Sequence, residues 1–423
     1  MQLNDLPEDC LLYIFDYFPE LKQLHILSTV CSGWNNLIKR RLEKVQYLNL
    51  EESDEHSWHF KFREYPSHPH IYTNDIKLLE RVNVSKLLPN LKFFTTNHYN
   101  GWQCMCRATI NVLSTSNTLI GLKDRSPCHK SDSRNCSDGI HIDKIVQHCG
   151  NLEYLSSKSK HFIRSFFFSF GDNLKHFEAL VDLSGFSLYP GATDSVSRLM
   201  AKMPNLETLT LLCEPEIKTR HWPIPKINLK QLKILTFYMR FRTFQVLSLF
   251  PELPSLYLRI DMLKKAKTFT TSDIHPSVQD LVIRIDNFLI DYQYDRDFKY
   301  PQLFKSILAK FPNCKNLMID VAYEFINNKL MIEIIEVLPN LNLFVQNVYQ
   351  ALDDRKDPDY FNSVDRHFKT TGRRIAIYLF KNKGFGRIIR YSLNEDVAGP
   401  FKTDNQFIHK YFRCGKDSYP SIF

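Results

Sequence analysis

The sequence predicts an α/β chain in which three short amino-terminal helices precede a long solenoid of helix, turn and parallel strand, closed by a carboxy-terminal β-hairpin. Three observations predict it. Residues 6–38 carry apolar side chains at helical spacing, interrupted by Pro19. A Leu-x-x-Leu-x-Leu pattern then recurs along most of the chain. Near the end, residues 374–380 and 386–391 read as strands flanking Lys381-Asn382-Lys383-Gly384, a turn signal.

The first helix opens at Leu6-Pro7-Glu8-Asp9, where Pro7 suits a first helical position and the two carboxylates face the positive end of the helix dipole. Leu11, Ile14, Phe15 and Phe18 fall on one face, and Pro19 stops the helix. Leu21, Leu24 and Leu27 form the face of a second. Ser28 or Thr29 is expected to cap a third, on which Val30, Trp34, Leu37 and Ile38 align, with Lys39-Arg40-Arg41 as a basic last turn. A unit of this size cannot bury all these side chains alone, so some should face a partner or the next domain.

Taken in order, Leu6-Pro7-Glu8, Leu11-Leu12, Ile14-Phe15, Leu24, Leu27-Ser28, Val30-Cys31 and Trp34 resemble the F-box, over residues 3–40. An ordinary helical cap or a helix-turn-helix are the plain alternatives. A DNA-reading third helix should project several Arg, Lys, Asn or Gln toward base edges, and this one offers Asn35 and Asn36.

The clear repeats are Leu206-x-x-Leu209-x-Leu211, Leu232-x-x-Leu235-x-Phe237, Leu253-x-x-Leu256-x-Leu258, Val278-x-x-Leu281-x-Ile283 and Cys314-x-x-Leu317-x-Ile319. Degenerate copies begin at Leu91, Leu119, Leu152, Leu174 and Leu341. Pro89-Asn90, Pro204-Asn205, Pro312-Asn313 and Pro339-Asn340 place a helix-ending proline ahead of a strand. These resemble irregular leucine-rich repeats. The Asn or Cys that such repeats carry after the strand is replaced here by Glu214, Arg240, Asp261, Asp286 and Ala322, so an irregular coil edge is expected.

Residues 51–75 and 123–137 read as surface insertions, rich in charge or polar turn formers. The expected organisation is a docking module over residues 1–45, a repeat array over 46–350 and a cap with a hairpin over 351–423. The cap holds 14 Lys plus Arg against nine Asp plus Glu, so much of the net charge of +9 lies there, suited to acidic substrates or simply to a soluble cap.

Composition narrows the chemistry. Thirteen glycines beside 32 phenylalanines and 20 tyrosines argue against folds that cradle phosphates in glycine-rich loops. No Walker loop, Gly-x-Ser-x-Gly elbow or His-Glu-x-x-His motif occurs, so no catalytic constellation is assigned and no cofactor is expected. Cys104, Cys106, Cys128, His129, Cys136, His141, His148 and Cys149 invite zinc, but they lack the paired Cys-x-x-Cys knuckles of a structural site; free thiols and surface histidines are the preferred reading. With ten scattered cysteines, no signal-like amino terminus and no apolar run long enough for a membrane span, an intracellular chain, cytoplasmic and/or nuclear, is expected.

F-box proteins with leucine-rich repeats are non-catalytic substrate receptors of Skp-cullin-F-box ubiquitin ligases, and the resemblance implies that function. It implies docking onto the S-phase kinase-associated adaptor protein, and through it onto cullin, by Leu6, Pro7, Leu11, Ile14, Val30, Cys31 and Trp34. The repeats would hold a protein substrate whose identity the residues do not give, with no membrane partner and with the charge arguing against nucleic acid. A repeat scaffold without a role in ubiquitylation is the alternative. On a solenoid strand the residue after the third apolar position points away from the core. That position places Tyr238, Arg259 and Arg284 together as a cationic patch for an acidic or phosphorylated segment, against the plainer reading of a solvated strand face.

Overall fold

The computed structural model describes residues 6–51, 69–97, 105–124, 144–157, 171–181, 203–213, 229–236, 247, 250–260, 274–285, 300–321, 328–348, 366–367, 370–373, 375–381 and 388–391. The chain divides into two compact units, Met1–Leu180 with Arg198–Leu206, and Val181–Ser197 with Glu207–Phe423.

The first unit opens with helices α1 (Glu8–Asp16), α2 (Leu21–Ser28) and α3 (Ser32–Glu43). Pro7 sits one position earlier than expected, as the α1 N-cap in extended conformation, and its carbonyl accepts from the amides of Cys10 and Leu11. The α3 cap also differs from expectation. Cys31 Sγ accepts from the Trp34 amide at 3.4 Å, while the Ser28 and Thr29 hydroxyls turn back onto the carbonyls of His25 and Ile26 at the end of α2. Val30 therefore lies in the connection between α2 and α3 rather than on the α3 face. Leu11, Phe15, Leu24, Trp34, Leu37 and Ile38 form the buried centre, with Phe15 edge-on to Trp34 at 5.3 Å.

Strands β1 (Tyr47–Glu51), β2 (His70–Thr73), β3 (Phe93–Asn97), β4 (Gly121–Asp124), β5 (Tyr154–Ser157) and β6 (His176–Val181) form a parallel sheet in the order β2-β1-β3-β4-β5-β6. The segment read as an insertion over residues 51–75 thus contains a strand, β2, at the outer edge. The helical module meets that edge: the Tyr72 amide donates to the Pro19 carbonyl at 2.8 Å. A sheet edge with unpaired amides is a liability, and here the Pro19–Glu20 link and α2 help to cover it. Helices α4 (Ile76–Arg81), α5 (Val84–Leu87) and α6 (Cys106–Thr115) bury Leu79, Val84 and Val112 on the repeat core.

The second unit carries parallel strands β7 (Thr208–Cys213), β8 (Gln231–Thr236), β9 (Ser255–Ile260), β10 (Asp280–Ile285), β11 (Asn316–Val321), β12 (Leu343–Val348) and β13 (Ala376–Lys381), in sequence order. Strand β14 (Ile388–Tyr391) closes the series antiparallel to β13, as the hairpin signal predicts. Helices α7 (Tyr300–Leu308) and α8 (Asn328–Val337) bury Ile307, Leu308, Ile334 and Ile335. The Arg373 guanidinium finishes α8 by donating to the carbonyls of Ile335 at 2.6 Å and Leu338 at 2.8 Å. These groups satisfy helix-end acceptors that have no intrahelical donor.

Strand register fixes the repeat frame. Leu209, Leu232, Leu256, Leu281, Leu317, Phe344 and Ile377 occupy one row across β7–β13, all of them buried. Nine of the ten repeat starts read from the sequence agree with the registers. The exception is β8: its true unit is Leu229-x-x-Leu232-x-Ile234, three residues earlier than the sequence frame, because leucines at three-residue spacing fit the template twice. Val45-x-x-Leu48-x-Leu50 is an additional unit, buried throughout.

Glu214, Arg240, Asp261, Asp286 and Ala322, which follow the strands, lie outside the described residues, whereas the turns before the strands carry a ladder of side chains. Asn90 donates to the Glu43 carbonyl, Asn173 to Gly150, Asn205 to Asp172, Asn313 to Pro276 and Asn340 to Pro312, at 2.7–3.2 Å. Thr118 adds an equivalent rung onto Pro89. Each side chain stands just before the first apolar position of its repeat and reaches the preceding repeat. The ladder therefore runs before the strand, where a search for Asn after the strand misses it. Asn313 serves two rungs, since its side-chain oxygen also accepts from Asn340 at 3.1 Å. Asn313→Ala is expected to lower unfolding stability by about 1 kcal/mol, measured by urea denaturation; its rungs are exposed, so water offsets part of the loss.

The degenerate repeats have their own logic. The third apolar position becomes Thr96, Asp124 and Ser157 in β3, β4 and β5, where Thr96 donates to Asp124 Oδ1 at 2.8 Å and Ser157 to Oδ2 at 3.3 Å. A mutually bonded polar row replaces leucine there.

Candidate functional site

Two surfaces carry the residues singled out by the sequence. The first is the helical module. Leu11 and Trp34 are 5% and 9% exposed and belong to its core. Pro7 and Cys31 are exposed, Leu6 and Ile14 are half-buried, and Val30 is 56% exposed. Tyr13, Tyr17 and Ile26 are large exposed side chains that sequence reasoning did not select. They could have been found by helical phase alone, because Tyr13 and Tyr17 lie four residues apart, off the face of Leu11 and Phe15; their hydroxyls stand 2.7 Å apart.

A buried ion pair within the module is joined to the first strands by a hydrogen bond from its guanidinium. Arg41, expected as part of a basic last turn, is fully buried, with Nε 3.3 Å from Asp16 Oδ1 and Nη2 3.2 Å from the His70 carbonyl. Lys44 reaches the other Asp16 oxygen at 3.4 Å. Burial lowers the Arg41 pKa while the neighbouring Asp16 carboxylate raises it. One interaction set thus ties α1, α3 and β2 together.

Residues 3–43 match the F-box-like family. The amino-terminal module is an F-box-like domain. No curated protein matches the chain. Among solved structures, a Bacteroides fragilis protein is 13% identical and covers 71% of this chain and 68% of its own, with a TM-score of 0.25. F-box domains are docking modules, and in this one Pro7, Val30 and Cys31 are exposed around a closed core.

The second surface is the strand face opposite the repeat core. Arg259 and Arg284 are direct neighbours in the β9–β10 register. Tyr238 lies outside the described residues, and the β8 residue paired with Arg259 is Leu235. On the other side Arg284 is paired with Asp320, its Nε 3.6 Å from Oδ2. Below them this face is apolar and buried: Val282, Met318, Leu343 and Val345 cluster, with Tyr257 and Ala376 packed against them.

In the first unit the same face carries a row of rings missed by sequence reasoning. His70 and Phe93 stack on either side of Tyr47 at 4.3 and 5.1 Å, and Tyr154 stacks on His176 at 4.4 Å. Gly121 occupies the row between Phe93 and Tyr154, whose rings meet edge-on at 5.4 Å. The available signal was a ring, or glycine, immediately before the second apolar position of each repeat of this unit.

Of the candidate zinc ligands, Cys104, Cys128, His129, Cys136 and His141 lie outside the described residues. Cys106 and Cys149 are buried, and Cys149 Sγ contacts the Ile145 carbonyl at 3.2 Å. Among the described residues no cluster of His, Cys, Asp or Glu could hold a metal, and no helix is long and apolar enough to cross a membrane. Burial raises the pKa of the Cys149 and Cys314 thiols, with nearby Asp124 and Asp280 respectively adding to the rise. Native alkylation with N-ethylmaleimide at neutral pH is therefore expected to label exposed Cys10 and Cys31 about tenfold or more faster than Cys149 and Cys314, read by peptide mass spectrometry.

Proposed function

We propose that the chain is the substrate-recognition subunit of a Skp-cullin-F-box ubiquitin ligase, acting in the cytoplasm or nucleus. The observation that carries this reading is the F-box-like domain at residues 3–43, with apolar surface left outside its own core. The proposed docking contacts are Pro7, Val30 and Cys31 at the surface with Leu6 and Ile14 at its margin, while Leu11 and Trp34 hold the helices that present them. Residues 1–45 would serve as the docking module, 46–350 as leucine-rich repeats that hold the substrate, and 351–423 as the cap.

The reaction belongs to the partner enzymes. This chain contributes proximity: a substrate held on the repeats meets the loaded ubiquitin carrier at raised effective concentration. Arg259 and Arg284 are the proposed substrate contacts, since two guanidiniums side by side offer several aligned donors to an anion; Tyr238 loses its place beside them with the β8 frame. Affinity purification of the intact chain from cells is the test, with recovery of the adaptor and cullin expected. Recovery of a bound protein with neither would favour a scaffold without a role in ubiquitylation.

A further inference from the structure

Along β10, β11 and β12 side chains alternate between the two faces of the sheet. Val282 stands between the core residues Leu281 and Ile283, Met318 between Leu317 and Ile319, and Leu343 and Val345 on either side of Phe344. These four therefore point away from the repeat core, yet Val282 and Val345 are 0% exposed, Leu343 2% and Met318 5%. Register sets Tyr257, Val282, Met318 and Val345 side by side, with Ala376 next to Leu343, so strand neighbours close the floor from its sides. From above, a bare sheet face would leave these side chains to water.

We propose that residues 392–423, which follow β14 and lie outside the described residues, are the cover over this floor. The place where they start favours them. Strand β14 runs antiparallel to β13 and ends at Tyr391 opposite Ile377, next to Ala376, which packs on the floor. The segments that follow β9, β10, β11 and β12 leave at the other ends of the strands, after Ile260, Ile285, Val321 and Val348. Composition favours them too. Phe407, Ile408, Tyr411 and Phe412 recur at the spacing of one helical face, with Lys410 and Arg413 off it, so the segment offers large apolar side chains to an apolar floor. The reach is ample: about 16 residues separate Tyr391 from Phe407 and span up to about 50 Å when extended. The farthest floor strand, β10, lies four strand spacings from β14, about 19 Å away.

A cover tethered in this way meets its floor at an effective concentration on the order of millimolar. A protein substrate that uses the same floor has to displace it, so residues 392–423 set the threshold for capture. That consequence rests on the repeats being the substrate-holding part.

Trypsin digestion of the folded full chain, read by mass spectrometry, tests the cover, with a synthetic peptide of residues 392–423 as the uncovered reference. Cleavage after Lys410 and Arg413 is expected to be about tenfold or more slower in the chain than in the peptide. Val345→Glu places a charge in the floor, and Phe407→Ser with Phe412→Ser removes the rings that would fill it. Each change should bring both cleavages to within about threefold of the peptide rate, with circular dichroism checking the fold. Peptide-like cleavage in the unmodified chain, or protection that survives either change in a folded chain, overturns the inference. So does a Val345→Glu chain in which cleavage speeds up at Arg296 or Arg355 while Lys410 stays protected, because an internal segment is then the cover. If Val345→Glu loses the fold, Val345→Thr keeps the side chain's shape and should still speed cleavage after Lys410 about threefold; an unchanged rate counts against the proposal. The digestion needs neither substrate nor adaptor, so its failure is distinct from failure of the adaptor-docking reading, which co-purification tests.

Discussion

Asp16→Ala is expected to lower the unfolding free energy of the chain by about 3–5 kcal/mol, the cost of leaving a buried guanidinium without its neutralising carboxylate. Arg41 is fully buried and Asp16 only 13% exposed, so water cannot replace the lost partner. The pair also ties α1 to α3, with Arg41 reaching the His70 carbonyl on β2, so its loss loosens the F-box from the edge it covers. Asp16→Leu combined with Arg41→Met should recover most of the loss, because replacing both charges by apolar groups of similar volume removes the desolvation cost together with the attraction. Urea denaturation followed by circular dichroism measures both. A single-variant loss below about 1 kcal/mol would mean that the pair is effectively solvated.

Val30→Glu is expected to reduce affinity for the Skp-type adaptor by about 30- to 1,000-fold, the range for losing a central apolar contact and burying a charge in its place. The variant should fold normally. Val30 is 56% exposed and lies between α2 and α3, where a glutamate meets water in the free chain. Trp34→Ala offers the contrast: its indole packs against Phe15 in the core, and its removal should cost about 3–5 kcal/mol of stability, so that adaptor binding is lost through unfolding. Measuring affinity and melting temperature on both variants separates contact from scaffold. Equal melting losses in the two would contradict the placement of Val30 at the surface.

Much of this architecture is legible in the sequence, for identifiable reasons. Buried leucines at fixed offsets mark nine of the ten repeat frames because a parallel sheet stacks equivalent side chains in rows. The β8 frame slips because Leu229, Leu232 and Leu235 satisfy the same spacing in two phases, and a row assignment needs the neighbouring strands. Strand β2 escapes notice because His70-Ile71-Tyr72-Thr73 buries a single aliphatic side chain, Ile71, at 1% exposure. The asparagine ladder is hidden by its position before the strand rather than after it.

At the candidate site, residue types were legible and their environments were not. Helical spacing selects Leu11 and Trp34 correctly as apolar, but burial separates them from Val30. Arg41 resembles any basic residue at a helix end until Asp16, 25 positions earlier in the chain, is brought against it. The same holds for Arg284, whose partner Asp320 becomes visible only through the β10–β11 register.

The central claim is that the F-box-like domain docks this chain onto a Skp-type adaptor. Sedimentation velocity on the purified full chain mixed with purified adaptor tests it most directly. The account predicts a one-to-one complex that is lost with Val30→Glu. Independent sedimentation of the two unmodified proteins at micromolar concentration, with the chain folded, would contradict it.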